Sequence, residues 1–161
     1  MDFLTDEYFM RQALREAREA AERGEVPVGA VAVTDKTIVA RAGNQVEMLK
    51  DATAHAEMLA ITQAANAIGD WRLDKITIYV TKEPCSMCAG AMVNAHVGKV
   101  VFAVPDPKYG ACGSALNLCA LPGALWQVEI SSGILQDECL EVLREFFREA
   151  RKRPPRKPMK S

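Results

Sequence analysis

Between residues 6 and 23, a stretch rich in Ala, Glu and Arg carries apolar side chains at Phe9, Ala13, Ala17 and Ala20/Ala21. This is the spacing of one buried helical stripe, and Gly24 follows it, so a first helix is expected over 6–23. The pattern then changes. Apolar runs at 26–33 and 38–43 flank a turn at 34–37 and read as a hairpin of two strands. Helical periodicity returns at Ala56, Leu59/Ala60 and Gln63/Ala64, predicting a helix over 53–68 that Asp51 or Thr53 caps and Gly69 stops. Downstream, 76–80 reads as a strand, 85–95 as a short helix of small residues, 99–104 as a strand and 126–130 as a fifth strand. Two prolines and two glycines mark 105–113 as a loop, and 117–123 carries no clear pattern. A last long helix spans about 135–150, because Pro154, Pro155 and Pro158 forbid its continuation. Strands alternating with helices in the second half imply parallel pairing, with helices on both sheet faces. A helix, a hairpin and two crossover units together predict an α/β fold, a three-layer α/β/α sandwich around a mixed five-stranded sheet.

The 161 residues leave room for one core rather than two. With 49% hydrophobic and 25% charged residues, a largely disordered, collagen-like or coiled-coil chain is excluded. The longest apolar runs, such as 26–33, fall far short of the roughly 20 residues that span a bilayer, so no membrane span is expected. An acidic N-terminus without the basic start and apolar centre of a secretory signal points to a cytoplasmic protein, or to an organelle after removal of a transit peptide. The formal net charge of −1 is unevenly spread, since residues 1–150 hold all 21 acids and 14 bases while 151–161 hold six bases and no acid. The chain thus divides into a folded domain, 1–150, and a basic, proline-containing tail, 151–161. Such a tail fits a polyanionic partner, but charge by itself fits a solvated, frayed end at least as well. Five cysteines, an odd number without a secretion signal, argue for reduced thiols rather than a disulfide framework.

One constellation carries chemistry. His55-Ala56-Glu57 opens one expected helix, and Pro84-Cys85-Ser86-Met87-Cys88 opens another. Cysteines three apart in a first helical turn share a face, and an imidazole from a neighbouring helix start completes three corners of a tetrahedron, a ligand set of zinc type. No protein residue is evident for the fourth corner. An open position marks a catalytic zinc, which lowers the pKa of bound water toward about 7, and Glu57, two residues past the histidine, is placed to reach that water. The positive ends of two helix dipoles favour thiolates and hydroxide. A lone Cys-x-x-Cys is also a redox pair and a lone His-x-Glu means little, but in order, at two strand-to-helix junctions, they form a specific signal.

Thr53-Ala54-His55-Ala56-Glu57 and Glu83-Pro84-Cys85-Ser86-Met87-Cys88-Ala89-Gly90-Ala91-Met92 resemble the cytidine deaminase-like superfamily of zinc nucleobase deaminases. Val26-Pro27-Val28-Gly29-Ala30-Val31, Asn44 eleven residues before His55, and the loop from Asp106 to Ser114 resemble one branch, the tRNA adenosine deaminase family. The resemblance runs from the first helix to Phe146-Phe147-Arg148. It implies a cytidine deaminase-like fold, one zinc per chain on His55, Cys85 and Cys88, and deamination of adenosine to inosine at the wobble position of tRNA. In that chemistry Glu57 takes a proton from zinc-bound water, hydroxide attacks C6, and the same carboxyl delivers protons to N1 and to the departing amine. The resemblance places Asn44 against the flipped nucleotide, with Val28, Ala56, Pro84, Asp106, Lys108 and Phe146 as further substrate contacts. It also implies a tRNA anticodon loop as partner, and a homodimer. Ala52 stands where proline is frequent in the family, which loosens the approach to the helix without removing a ligand.

Other residues have plainer readings. Asn44 also fits an Asn-Gln turn after a strand. His96 reads as a helix-dipole partner or surface residue, Cys112, Cys119 and Cys139 as small apolar side chains, and Trp71 and Trp126 as packing residues, although Trp71, next to Arg72, can also face solvent. Phe146 and Phe147 are adjacent, so one can pack in the core while the other faces a base. Two rival functions share some of these features: a zinc deaminase of a free nucleobase or nucleotide, of guanine or cytosine type, and a noncatalytic zinc-stabilised RNA-binding module. The 106–114 loop, the aromatic pair and the basic tail favour RNA over a free base. Glu57 argues against the noncatalytic module, because a structural site has no use for a carboxylate beside an open zinc position.

Overall fold

A computed structural model describes residues 3–155 and 158. Thr5 starts helix α1 (Asp6–Glu22), its hydroxyl oxygen accepting from the Tyr8 N–H at 3.3 Å. Phe9, Ala13, Ala17 and Ala20 are buried as the spacing predicts, Met10 and Leu14 are buried beside them, and Ala21 is only partly buried. Strands β1 (Gly29–Thr34) and β2 (Thr37–Gly43) form the expected hairpin, but its turn is tighter. Thr34 pairs with Thr37, and only Asp35 and Lys36 make the turn, at left-handed φ values of 49° and 58°. Two such residues match the right-handed twist of the flanking strands. Strand β1 also starts later than expected. Val28 donates its N–H to the Val26 carbonyl at 2.8 Å, and Pro27 between them has no N–H to give a ladder.

A single helical turn that the apolar pattern did not show, α2 (Val46–Leu49), precedes α3 (Ala56–Ile68). Helix α3 starts three residues later than expected because Asp51 spends its carboxylate locally: Oδ1 accepts from the Thr53 N–H at 2.8 Å and the Thr53 hydroxyl at 2.7 Å. This turn closes the segment in which Ala52 stands. Strand β3 (Thr77–Lys82), α4 (Ser86–Asn94) and β4 (Lys99–Val104) follow close to expectation. Strand β5 (Glu129–Ser132) lies C-terminal to its predicted start, and Trp126 serves the fold through its side chain, donating Nε1–H to the Val97 carbonyl at 2.8 Å. Helix α5 (Gln136–Arg151) is the last element among the described residues.

The strands pair in the order β2-β1-β3-β4-β5, with β1 antiparallel to both neighbours and β3, β4 and β5 parallel. The strict alternation of strand side chains divides the core in two. Val31, Val33, Tyr79, Val101 and Ala103 face α1 and α5. Ala30, Ala32, Ile78, Val80, Val100 and Phe102 face the other way, toward α3 and α4. The three-layer α/β/α sandwich with a mixed five-stranded sheet is therefore as expected. The connection from β4 to β5, read as a loop over 105–113 and without a pattern over 117–123, carries no α-helix. A 3-10 turn, Leu118–Ala120, packs on α4 instead, and buried Ala111, Cys112 and Cys119 join the core there. All five cysteines are free thiols. Among the described residues, no helix is long and apolar enough to cross a membrane.

Gly29 lets α1 lie directly on β1, because a Cβ there would collide with the helix backbone at Ala13 and Ala17. Neither backbone segment can yield without moving a layer. Gly29→Ala is expected to cost at least about 3 kcal/mol, read as a lowered urea midpoint at unchanged m-value.

Candidate active site

The N-termini of α3 and α4 meet beside the carboxyl ends of β3 and β4, the edge where α/β sheets place their ligands. His55 is the N-cap of α3 and Cys85 the N-cap of α4. Both have extended backbone, and neither side chain makes a capping hydrogen bond. The side chains turn toward each other instead. His55 Nδ1 lies 3.7 Å from Cys85 Sγ and 3.5 Å from Cys88 Sγ, and the three donor atoms lie within 4.8 Å of one another. Such a group can hold a metal ion. Hydrogen bonds from Cys88 and His55 hold the Cys85 thiol down at about 3, and the same shared bond raises that of Cys88. The bond to Cys85 likewise raises the His55 imidazole above its ordinary value.

Glu57, in the first turn of α3, is only 4% exposed, and burial pushes its carboxyl above the usual carboxylate range. It lines, with His55 and Cys85, a cleft of about 730 Å³. Of the other residues singled out from sequence, Val28, Asn44, Ala56, Asp106 and Phe146 line the same cleft. Pro84 and Lys108 do not line it. Pro84 is buried behind it, its carbonyl accepting from the Ala111 N–H at 2.9 Å, and Lys108 is exposed. Asn44 combines both of its readings: Oδ1 accepts from the Val46 N–H at 3.1 Å, making the turn, and the buried residue forms part of the cleft wall. Phe146 faces the cleft, whereas Phe147 is exposed and meets it edge-on at 5.5 Å. His96 lies elsewhere, at a left-handed φ of 53°, stacked flat on Trp126 at 4.8 Å with Trp71 edge-on at 5.3 Å. From the basic tail, Arg153, Pro154 and Pro155 line the cleft. Arg156, Lys157 and Lys160 lie outside the described residues.

Two buried carboxylates that sequence reasoning did not single out build the cleft walls. Glu25, 1% exposed, accepts from the Glu47 N–H at 2.8 Å and the Met48 N–H at 2.9 Å, fixing α2 beside Asn44. Glu83, 4% exposed, accepts from the N–H groups of Asp106, Cys112 and Ser114 at 3.0–3.2 Å and from the Ser114 hydroxyl. Gly110 packs so closely on this carboxylate that no side chain fits. The available signal was an acid at the end of a buried strand, directly before Pro84. At the cleft rim, Lys82 pairs with Asp106 at 3.2 Å. Burial alone would raise the Asp106 carboxyl, but hydrogen bonds from the Tyr109 and Lys108 N–H groups and the Lys82 ammonium together hold it below its ordinary value.

Residues 4–151 match the MafB19-like deaminase family. The tRNA-specific adenosine deaminase of Bacillus subtilis (strain 168) is 50% identical over 148 residues, covering 92% of each chain. The chain belongs to the tRNA-specific adenosine deaminase family. A solved structure from work on A-to-I editing by tRNA:A34 deaminases at the wobble position of transfer RNA is 43% identical to this deaminase, with a TM-score of 0.81 over 84% of this chain and 99% of that one. The fold alone is shared with a guanine deaminase of Nitrosomonas europaea, 23% identical with a TM-score of 0.74 over 88% of this chain and 84% of the other.

In this deaminase the Glu83 carboxylate is the acceptor for four donors of one loop. Glu83→Ala is expected to cost about 3 kcal/mol, because the buried Cys112 N–H and the part-buried Asp106 and Ser114 N–H groups lose their partner together. Amide exchange at Cys112 and Ser114 should accelerate more than exchange in α1, which separates local release of the loop from global unfolding.

Proposed function

We propose that this protein hydrolytically deaminates adenosine to inosine at the wobble position of tRNA, with a zinc ion held by His55, Cys85 and Cys88. The observation that carries this reading is the convergence, in one cleft, of a three-donor metal group and a buried carboxylate in a chain of this family. The donor set suits zinc. Bonds of about 2.3 Å to sulfur and about 2.0–2.1 Å to nitrogen at a tetrahedral angle put N and S about 3.5–3.6 Å apart. The separations of 3.5 and 3.7 Å fit that spacing. When bound, the metal acidifies water and so supplies a hydroxide nucleophile at neutral pH.

Glu57 moves the protons. Its raised pKa brings the carboxyl closer to neutrality, where one group can both accept a proton from water and return it. It delivers one proton to purine N1 as oxygen adds at C6, then takes the remaining proton from that oxygen and hands it to the amine as the C6–N bond breaks, so adenosine and water become inosine and ammonia. Asn44, Val28, Ala56 and Phe146 hold the extruded nucleotide, and Asp106 contributes at the rim. Pro84 supports the ligand loop from behind, and Lys108, outside the cleft, reaches RNA beyond the target nucleotide. The tail, 151–161, adds positive charge along the phosphates, with Arg153 nearest the target. A homodimer and a cytoplasmic location belong to the same reading, and sedimentation of the pure protein tests the first.

Incubation of zinc-loaded protein with an anticodon stem-loop containing adenosine, followed by nucleoside analysis, should yield inosine, while free adenine, guanine and cytidine stay unchanged. Elemental analysis should find one zinc per chain, lost in Cys85→Ala. Glu57→Ala should keep zinc and fold but lower turnover by at least about 10²-fold; loss of zinc in this variant would mean that the carboxylate is a ligand. Truncation after Ala150 should weaken stem-loop binding and flatten the slope of log K against log salt by about 1 to 3. An unchanged slope would make the tail a solvated end.

A further inference from the structure

The loop after β4 carries an aromatic ring that none of the roles above uses. Tyr109 is 73% exposed, yet it lines the same cleft as His55 and Glu57. Single exposed aromatic residues are common and carry no message by themselves. This one differs in its mounting. Asp106 Oδ1 accepts from the Lys108 N–H at 3.0 Å and from the Tyr109 N–H at 3.1 Å, while the Asp106 carbonyl accepts from the Gly110 N–H at 2.9 Å. Glu83 in turn holds the Asp106 N–H at 3.1 Å from beneath. The backbone on both sides of the ring is fixed to a buried carboxylate. Among the described residues, no other ring and no cation stacks on Tyr109.

We propose that Tyr109 is a stacking platform for a nucleobase of the RNA strand adjacent to the adenosine that enters the cleft. This rests on the tRNA-deaminase reading and adds a second base contact to it. A strand that delivers one extruded nucleotide has unstacked the neighbours of that nucleotide, and an aromatic face replaces the stacking they lose. The platform loses little conformational freedom on binding because its backbone is already held and only two side-chain torsions remain to be ordered. The cleft of about 730 Å³ is of a size for a whole ligand, which leaves the rim, where Tyr109 stands, for the flanking base. The contact is with a base face and not a phosphate, so it is insensitive to salt.

The test uses full-length, zinc-loaded protein and an anticodon stem-loop with 2-aminopurine placed immediately 5′ or 3′ of the target adenosine. Binding by wild type and by Tyr109→Phe should quench the fluorescence at one of the two positions, and Tyr109→Ala should remove that quench. Tyr109→Ala should also raise the dissociation constant and KM by roughly 5- to 150-fold, with the loss falling on KM rather than kcat and with no change in the salt slope. Circular dichroism melts of the variants control for folding. Tyr109→Ala indistinguishable from wild type would overturn the platform. So would Tyr109→Phe as weak as Tyr109→Ala, which would assign the effect to the hydroxyl, or a flattened salt slope, which would assign it to a phosphate. If wild type neither binds nor deaminates the stem-loop, the tRNA-deaminase reading fails and takes the platform with it; if wild type does both, the platform stands or falls alone.

Discussion

Separations of 3.5 and 3.7 Å between the His55 imidazole and two cysteine sulfurs constrain nearly every other feature of the chain. His55 and Cys85 occupy N-cap positions, where a side chain ordinarily satisfies its own helix, and both withhold that bond. Two helix starts can approach so closely only if α3 and α4 lie on one face of the sheet. That placement requires a parallel crossover from β3 to β4, and a hairpin that sets β1 antiparallel to β3. The outer layer of α1 and α5 then serves the opposite face.

The loops around the site are held by a second device, the buried carboxylate. A loop at the end of a sheet has backbone N–H groups with no ladder to join, and each needs an acceptor. Glu25 supplies two for α2, and Glu83 supplies acceptors for the segment from Asp106 to Ser114. A single acid can serve several donors because a carboxylate has about four lone-pair positions. Part of the acidity of the domain is thus interior and structural.

The fold was legible wherever one periodicity ran for a full element. The stripe from Phe9 to Ala20, the alternation in β1, and the small-residue helix after Pro84 each announce their partner layer. The three-donor group of His55, Cys85 and Cys88 was legible because metal-ligand chemistry narrows the residue types so sharply. Less legible were features decided by contacts distant in sequence. Glu83 meets Ser114 thirty-one residues away, and its place at the end of a buried strand does not show which donors it serves. The start of α3 depended on which donor Asp51 would choose, and α2 is too short to show a period. The stretch 117–123 showed no pattern because buried Cys119 and the 3-10 turn around it fill their space without any regular spacing.

The layer contact beneath the site is built largely of alanine: Ala30, Ala32, Ala40 and Ala42 on the sheet meet Ala56, Ala60 and Ala64 on α3. Alanine has no side-chain rotamers, so this contact forms without loss of side-chain entropy. It also has no alternative packing to visit. Thermal motion at the interface is therefore confined to small displacements of whole backbones, with no rotamer exchange among these side chains. The chain obtains a stiff mounting for His55 and Glu57 from the least costly residue to order.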